Sequence, residues 1–157
     1  MKRSRISAGL LMFRKRAGKL EVLLAHPGGP YFKNKDDGVW SVPKGELGEG
    51  EDLLTRAKIE FEEETGISPS AVEMIELGSI KQKGGKTVHA WAFEGDLKED
   101  FALVSNTFEM EWPPRSGRTE QFPEVDRAAF FSLGAARTKI KATQEILLDR
   151  LLEVLNS

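Results

Sequence analysis

Residues 45–67 constrain this chain more than any other stretch. They run Gly45-Glu46-Leu47-Gly48-Glu49-Gly50-Glu51, then Asp52 to Lys58, then Ile59-Glu60-Phe61-Glu62-Glu63-Glu64-Thr65-Gly66-Ile67. A glycine-rich loop leads into a segment of helical period, and Gly66 stops it. At about 100° per residue, Glu60, Glu63 and Glu64 fall on one side within a turn. Leu53, Leu54, Ala57 and Phe61 gather on the neighbouring side as an apolar stripe. The pattern predicts a helix that buries one flank and holds three carboxylates beside it.

Such an arrangement is costly. Like charges three and four residues apart repel. These acids also sit in the C-terminal half of the helix, where the macrodipole disfavours anions. A divalent cation would reverse both penalties, and hard oxygen ligands suit Mg²⁺ or Mn²⁺ with phosphate oxygens completing the shell. A solvated acidic helix face accounts for the acids alone equally well.

The full spacing resembles the Nudix box, G-x5-E-x7-R-E-U-x-E-E-x-G-U, where U is a bulky apolar residue. Gly45, Glu51, Glu60, Phe61, Glu63, Glu64, Gly66 and Ile67 fall in register, and Ile59 stands where the family has arginine. The segment Trp40 to Gly45 also resembles the W-x-[LV]-P-K-G lead-in of Nudix enzymes that cut dinucleoside polyphosphates, although many other Nudix proteins share it. The resemblance implies an α/β fold, an α/β/α sandwich with a mixed β-sheet, as a single domain over residues 1–157. It also implies Mg²⁺- or Mn²⁺-dependent hydrolysis of a nucleoside diphosphate linked to another group. Glu60, Glu63 and Glu64 become the metal ligands, joined by a backbone ligand at Lys44 and Gly45, with the Lys44 carbonyl in first place. A further carboxylate, ligand or base, is expected just before the late strand: Glu124, with Glu120 in reserve. The matching glutamate of the box, Glu51, is implied to have a structural or metal-tuning role; a carboxylate opening a helix at its positive end explains it without the family.

Composition bounds the rest. The 157 residues suffice for one domain with a sizeable core, and 39% hydrophobic with 31% charged is ordinary for a soluble globular protein. A formal net charge of −2 leaves no basic footprint for duplex nucleic acid. The absence of cysteine excludes disulfides, thiolate metal sites and a cysteine nucleophile. The basic start Met1-Lys2-Arg3-Ser4-Arg5 precedes an apolar run that is short and broken by Ser7 and Gly9, so no signal peptide is read. No run approaches the ~20 apolar residues of a membrane span. A cytoplasmic protein acting on a small-molecule nucleotide is expected. Oligomeric state is not readable, and a homodimer stays open because dimers are frequent among similar proteins.

Along the chain, Ile6 to Phe13 and Leu20 to Ala25 read as a strand hairpin, turning over Lys15 to Lys19. His26-Pro27-Gly28-Gly29-Pro30 breaks the pattern, and Tyr31 to Gly38 is a loop. Val39 to Pro43 reads as a short strand delivering Lys44, whose side chain is placed to reach a phosphate. Val72 to Ile80 and Lys86 to Phe93 read as a second hairpin, with Lys81, Lys83 and Lys86 at its tip. Residues 95–123 are irregular, with a short strand near Thr107–Trp112. On that loop Arg115 and Arg118 are candidates to clamp phosphate, and Tyr31, Phe108 or Trp112 to stack on a base. Each has an ordinary surface role as its alternative. His26 and His89 read as structural. Phe122 to Leu133 resembles the stretch that holds the family's late strand, and Ala135 to Ile140 begins a short helix. Ala142 to Leu155 is amphipathic, with Ile146, Leu147, Leu151, Val154 and Leu155 on its apolar side.

The implied reaction is attack of water on a phosphorus of a pyrophosphate link, with Glu60 or Glu124 taking the proton. Two further readings stand beside it: a nucleotide-binding sensor with a weakened site, suggested by Ile59, and RNA 5′-end hydrolysis, against which the charge weighs. In the family the arginine missing at 59 helps orient the glutamates. Arg56, four residues before Glu60, can replace it only from a different position. From sequence alone, Ile59→Arg is therefore expected to raise kcat.

Overall fold

The structure is a computed structural model that describes residues 5–69 and 73–156. Strand β1 (Ile6–Arg16) is its axis. The apolar run is buried on both faces because successive side chains point opposite ways. Ala8, Leu10 and Met12 enter one core and Leu11 and Phe13 the other. β2 (Lys19–Pro27) returns antiparallel through a two-residue turn at Ala17-Gly18, both at positive φ (52° and 77°). That geometry matches the twist of the flanking strands, so both run further than the sequence predicts.

The remaining main strands are β3 (Lys44–Glu46), β4 (Ile75–Lys81), β5 (Thr87–Glu94) and β8 (Val125–Ser132). The sheet order is β4-β5-β1-β2-β8, with β3 paired to β1. β1 and β5 are parallel and the other pairs antiparallel, so the sheet is mixed. Helix α1 (Leu53–Thr65) covers one face through Ala57 and Phe61, packed with Leu10, Leu23 and Phe93. α2 (Leu133–Lys139) and α3 (Ile146–Leu155) cover the other through Ala136, Leu147, Leu148 and Leu151. This is the α/β/α arrangement that the box implied. A separate hairpin, β6 (Thr107–Glu111) with β7 (Thr119–Pro123), stands off the sheet.

One departure from regular pairing sets up the site. β1 and β2 are paired only from Phe13 to Arg16 and Lys19 to Val22. Beyond that the strands part, and residues 41–46 lie between them. Ser41 bonds Ala25 in both directions at 2.9 Å, while the Pro43 carbonyl accepts from Leu10 N–H and Lys44–Glu46 pair with Ser7–Gly9. The wedge changes partners at Val42, whose N–H points into the core. There Gln144, fully buried, accepts from it at 2.9 Å and donates to Gln82 at 3.0 Å.

Several boundaries differ from the sequence reading. α1 begins at Leu53, not Glu51, because Asp52 is the N-cap and accepts from Thr55 N–H and hydroxyl at 3.1 and 3.0 Å. Val39–Pro43 is no regular strand: Trp40 and Ser41 form isolated bridges, and the strand proper is Lys44–Glu46. β7 falls where an irregular loop was expected. The last helix is preceded by a 3₁₀ turn at Ala142–Gln144, which leaves Ile146 47% exposed rather than in the core. Val72, the expected start of β4, lies outside the described residues. No helix among the described residues is long and apolar enough to cross a membrane.

Gln144→Ala strands the Val42 amide in an apolar environment. A loss of about 1–3 kcal/mol in unfolding free energy is expected, measured by urea denaturation. An unchanged midpoint would mean that the wedge does not depend on this bond.

Candidate active site

The wedge lays Lys44 and Gly45 beneath α1. Gly45 meets the Glu60 side chain so closely that a Cβ there would lie 2.0 Å from the carboxyl carbon. The position demands space, not an unusual φ. Glu60 stands at the helix flank beside Glu63 and Glu64, all three partly buried. Together with Lys44, Gly45, Glu46, Asn106, Thr107 and Glu124 they line one cleft of about 510 Å³.

Glu124 reaches this cleft through backbone bonds. The N–H of Asn106 donates to the Glu63 carbonyl at 2.8 Å, and the Asn106 carbonyl accepts from Glu124 N–H at 2.7 Å. On its other side the Glu124 carbonyl accepts from Gly28 N–H at 3.0 Å. Gly28 fits because it lacks a Cβ, which would come within 1.9 Å of the Pro123 oxygen. The segment joining β5 to β6 thus ties the end of α1 to the start of β8. Sequence reasoning found Glu124 by resemblance but missed Asn106 and Thr107, whose side chains carry no distinctive chemistry.

Charge in the cleft is poorly solvated. Burial, then the Glu60 charge, pushes the Glu64 carboxyl up to about 8; Glu124 adds to this, while Lys44 opposes it through its charge and its backbone N–H. Burial, then Glu63, raises Glu60, and Arg56 opposes. Burial also lowers Lys44, helped by the neighbouring charge of Lys141, while Glu64 pulls the other way. Glu51 behaves differently. Hydrogen bonds from Arg56 and from the Gly48 N–H hold it below the usual carboxylate range. It sits before the helix, folded back over the glycine loop, rather than at the helix's first turn.

The other sequence candidates lie apart from the acids. Arg115 is in the turn between β6 and β7, at φ 60°, where its N–H donates to Glu111. Arg118 lines a different cavity with Trp112 and Glu120. Tyr31, 56% exposed, meets Trp112 edge-on at 5.5 Å. None of these, Glu120 included, lines the acidic cleft. His26 is buried with both ring nitrogens bonded, Nδ1 to Asp126 at 2.7 Å and Nε2 to the Lys35 carbonyl at 2.6 Å. His89 pairs with Glu76 at 2.6 Å. Lys83 and Lys141 line a cavity of about 440 Å³ with Phe32, Val39 and Gln82.

A family model described as the NUDIX domain matches residues 3–151. The chain belongs to the Nudix family. Two curated Arabidopsis thaliana proteins are similar to it. Nudix hydrolase 7 is 40% identical over 70 residues, covering 45% of this chain and 23% of its own length. Nudix hydrolase 5 is 31% identical over 107 residues, covering 68% and 32%. The chain therefore spans only about a quarter to a third of these relatives. Among solved structures, a C. elegans Ap4A hydrolase binary complex aligns with TM-score 0.69 at 23% identity, over 96% of this chain and 98% of that one. The NUDIX domain of Shewanella oneidensis NrtR, complexed with ADP ribose, aligns with TM-score 0.63 at 15% identity, over 99% and 90%. At these identities the likeness is one of Nudix fold.

The donor set fits a hard divalent cation: oxygen only, several carboxylates on one cleft, and two of them pushed toward the neutral form by burial and mutual repulsion. As the side chains stand, no three acids or histidines among the described residues close into a ready-made metal cluster.

Between pH about 4.5 and about 8 the folded, metal-free protein holds a proton on Glu64 that the unfolded chain has released. Stability contributed by that neutral form is full below about 4.5 and is lost as pH rises through about 8. Unfolding free energy of the metal-free protein should thus fall over that window, by an amount of the order of a few kcal/mol. Glu64→Gln should flatten the slope, read by denaturation at a series of pH values. Gly45→Ala should displace Glu60 and weaken Mn²⁺ binding at least about ten-fold. Wild-type affinity in that variant would contradict the close packing.

Proposed function

We propose that this protein is a divalent-metal-dependent pyrophosphohydrolase of a nucleoside diphosphate derivative. The observation that carries the reading is the convergence of Glu60, Glu63, Glu64 and Glu124 on one cleft beside the Lys44–Gly45 backbone. Glu60, Glu63 and Glu64 would hold Mg²⁺ or Mn²⁺, with the backbone at Lys44 and Gly45 as a further ligand. Such an ion, when bound, neutralises phosphoryl charge and lowers the pKa of water.

The chain's own residues supply the remainder. Lys44 donates its backbone N–H to Glu64 and feels both the opposite charge of Glu64 and the like charges of Lys141 and Lys86. A polyphosphate laid from the acids toward these lysines would relieve both the acid–acid and the lysine–lysine repulsion. Glu124 is the better placed proton acceptor. Its carboxylate is exposed and forms no hydrogen bond or ion pair with the described residues, whereas Glu60 is held by Arg56 and Gly45. The substrate class favoured is a highly phosphorylated nucleotide, a dinucleoside polyphosphate or a nucleoside triphosphate, ahead of a nucleotide sugar. The lysine group supports this, and so does the fold neighbour named an Ap4A hydrolase. The cavity lined by Phe32 and Val39 beside Lys141 offers an apolar surface to a base.

Phosphate or nucleotide release from a panel of nucleotides, with Mg²⁺ or Mn²⁺, tests this directly. Glu63→Gln and Glu64→Gln should each lower kcat by about a hundred-fold or more, and Glu124→Gln should remove general-base assistance with a similar loss. Nucleotide binding without turnover in the wild type would replace the hydrolase by a sensor.

A further inference from the structure

The Nudix box places an arginine at the position of Ile59, and here that side chain is 37% exposed with no donor to offer. The contact network around the glycine loop is nevertheless complete. Arg56 Nε donates to both Glu51 oxygens at 3.2 and 3.0 Å, and its Nη2 also bonds Glu51. Its Nη1 donates to Glu60 Oε1 at 3.3 Å. Glu51 in turn accepts from Gly48 N–H. Glu60 lies against Gly45. A single guanidinium therefore links the loop at 48, the box glutamate at 51 and the carboxylate at 60.

We propose that Arg56 is the positioning residue of this site, holding Glu60 and the 45–51 loop in place from one helical turn before the family's arginine position. Three residues along an α-helix return a side chain to nearly the same face, about 4.5 Å along the axis. From there the planar fork meets Glu51 with two nitrogens and Glu60 with the third. Lysine has one nitrogen and can satisfy only one of these carboxylates at a time. The guanidinium is itself partly buried (side chain 21% exposed), so its attraction for Glu51 and Glu60 is less screened than that of a surface pair. Ile59 thus marks a displaced anchor rather than a disabled site. This removes the gain in kcat expected for Ile59→Arg on sequence grounds, because Glu51 already has its cation.

The inference rests on the hydrolase reading for its kinetic arm and on metal binding alone for the other. Arg56→Ala, Arg56→Lys, Ile59→Arg and the double variant R56A/I59R would be compared by kcat and KM for the best nucleotide of the panel. Mn²⁺ affinity of the nucleotide-free protein, by electron paramagnetic resonance, gives the second readout. Melting curves confirm that each variant is folded, and Glu51→Gln serves should Arg56→Ala not fold. Arg56→Ala should lose about ten- to hundred-fold in kcat and in Mn²⁺ affinity, with KM for nucleotide within two-fold. Arg56→Lys should be intermediate, and R56A/I59R should regain about ten-fold over Arg56→Ala. Ile59→Arg alone should stay within two-fold of wild type. Mn²⁺ affinity and kcat within two-fold of wild type in Arg56→Ala would overturn the assignment. So would a double variant no better than Arg56→Ala, or a ten-fold gain from Ile59→Arg alone. A wild type that hydrolyses nothing refutes the hydrolase reading, and the Mn²⁺ arm still decides Arg56.

Discussion

The close approach of Glu60 to the Gly45 backbone is the contact on which the rest of the site depends. A carboxylate pressed against a peptide, part-way out of water and beside two other acids, is a poor source of stability in itself. It is tolerated because each neighbour has a separate reason to be there. Gly45 is carried in by the wedge between β1 and β2, whose hydrogen bonds run to both strands. Glu60 is carried in by the helix, whose neighbouring flank buries Phe61 and Ala57 against Leu10, Leu23 and Phe93. Apolar burial on one flank of α1 thus sustains electrostatic strain on the next.

The parting of β1 and β2 is the structural device behind this. In an open α/β sheet, a crevice forms where neighbouring strands diverge. Here the crevice is filled by the chain itself, and filling it creates a problem at Val42, whose amide faces the core. Gln144 solves that problem from the other face of the sheet. The wedge within the β layer and the 3₁₀ turn before α3 are consequently coupled through one side chain. Trp40 strengthens the same link, exchanging backbone bonds with Lys139 and Lys141.

Much of this was legible in the sequence, for a physical reason. The helix and its acids are encoded locally: period, capping and stop signals all lie within residues 45–67, and the strands β1 and β2 announce themselves as apolar runs. Glu51 was legible in register but not in conformation. The rival N-cap, Asp52 with Thr55 three residues on, outcompetes it as the helix start, and a salt-linked fold-back is not visible as a pattern. The β6–β7 hairpin was half missed, because Thr119–Pro123 is polar and exposed and so lacks the alternation that reveals a strand. Arg115, Arg118 and Tyr31 were drawn by residue type alone. Their placement depends on where that hairpin points, which is a tertiary fact. Asn106 and Gln144 act through the backbone or through one buried amide, and nothing in their neighbourhood distinguishes them from ordinary polar residues.

Position 59 shows how a motif can be broken in letter while its contacts survive. What the site requires there is not an arginine at one position but a forked cation between the box glutamate and the first helix acid. A helix offers that geometry from more than one position, because residues three and four apart share a face. The positions with less freedom are those where backbone meets side chain. No neighbouring residue can supply the missing Cβ space of Gly45 or Gly28, since the clash would be with Glu60 itself or with the Pro123 carbonyl that leads into Glu124. In this fold Gly45 in the box and Gly28 outside it are therefore the stricter positions of the site, and the charged residues around them have room to trade places.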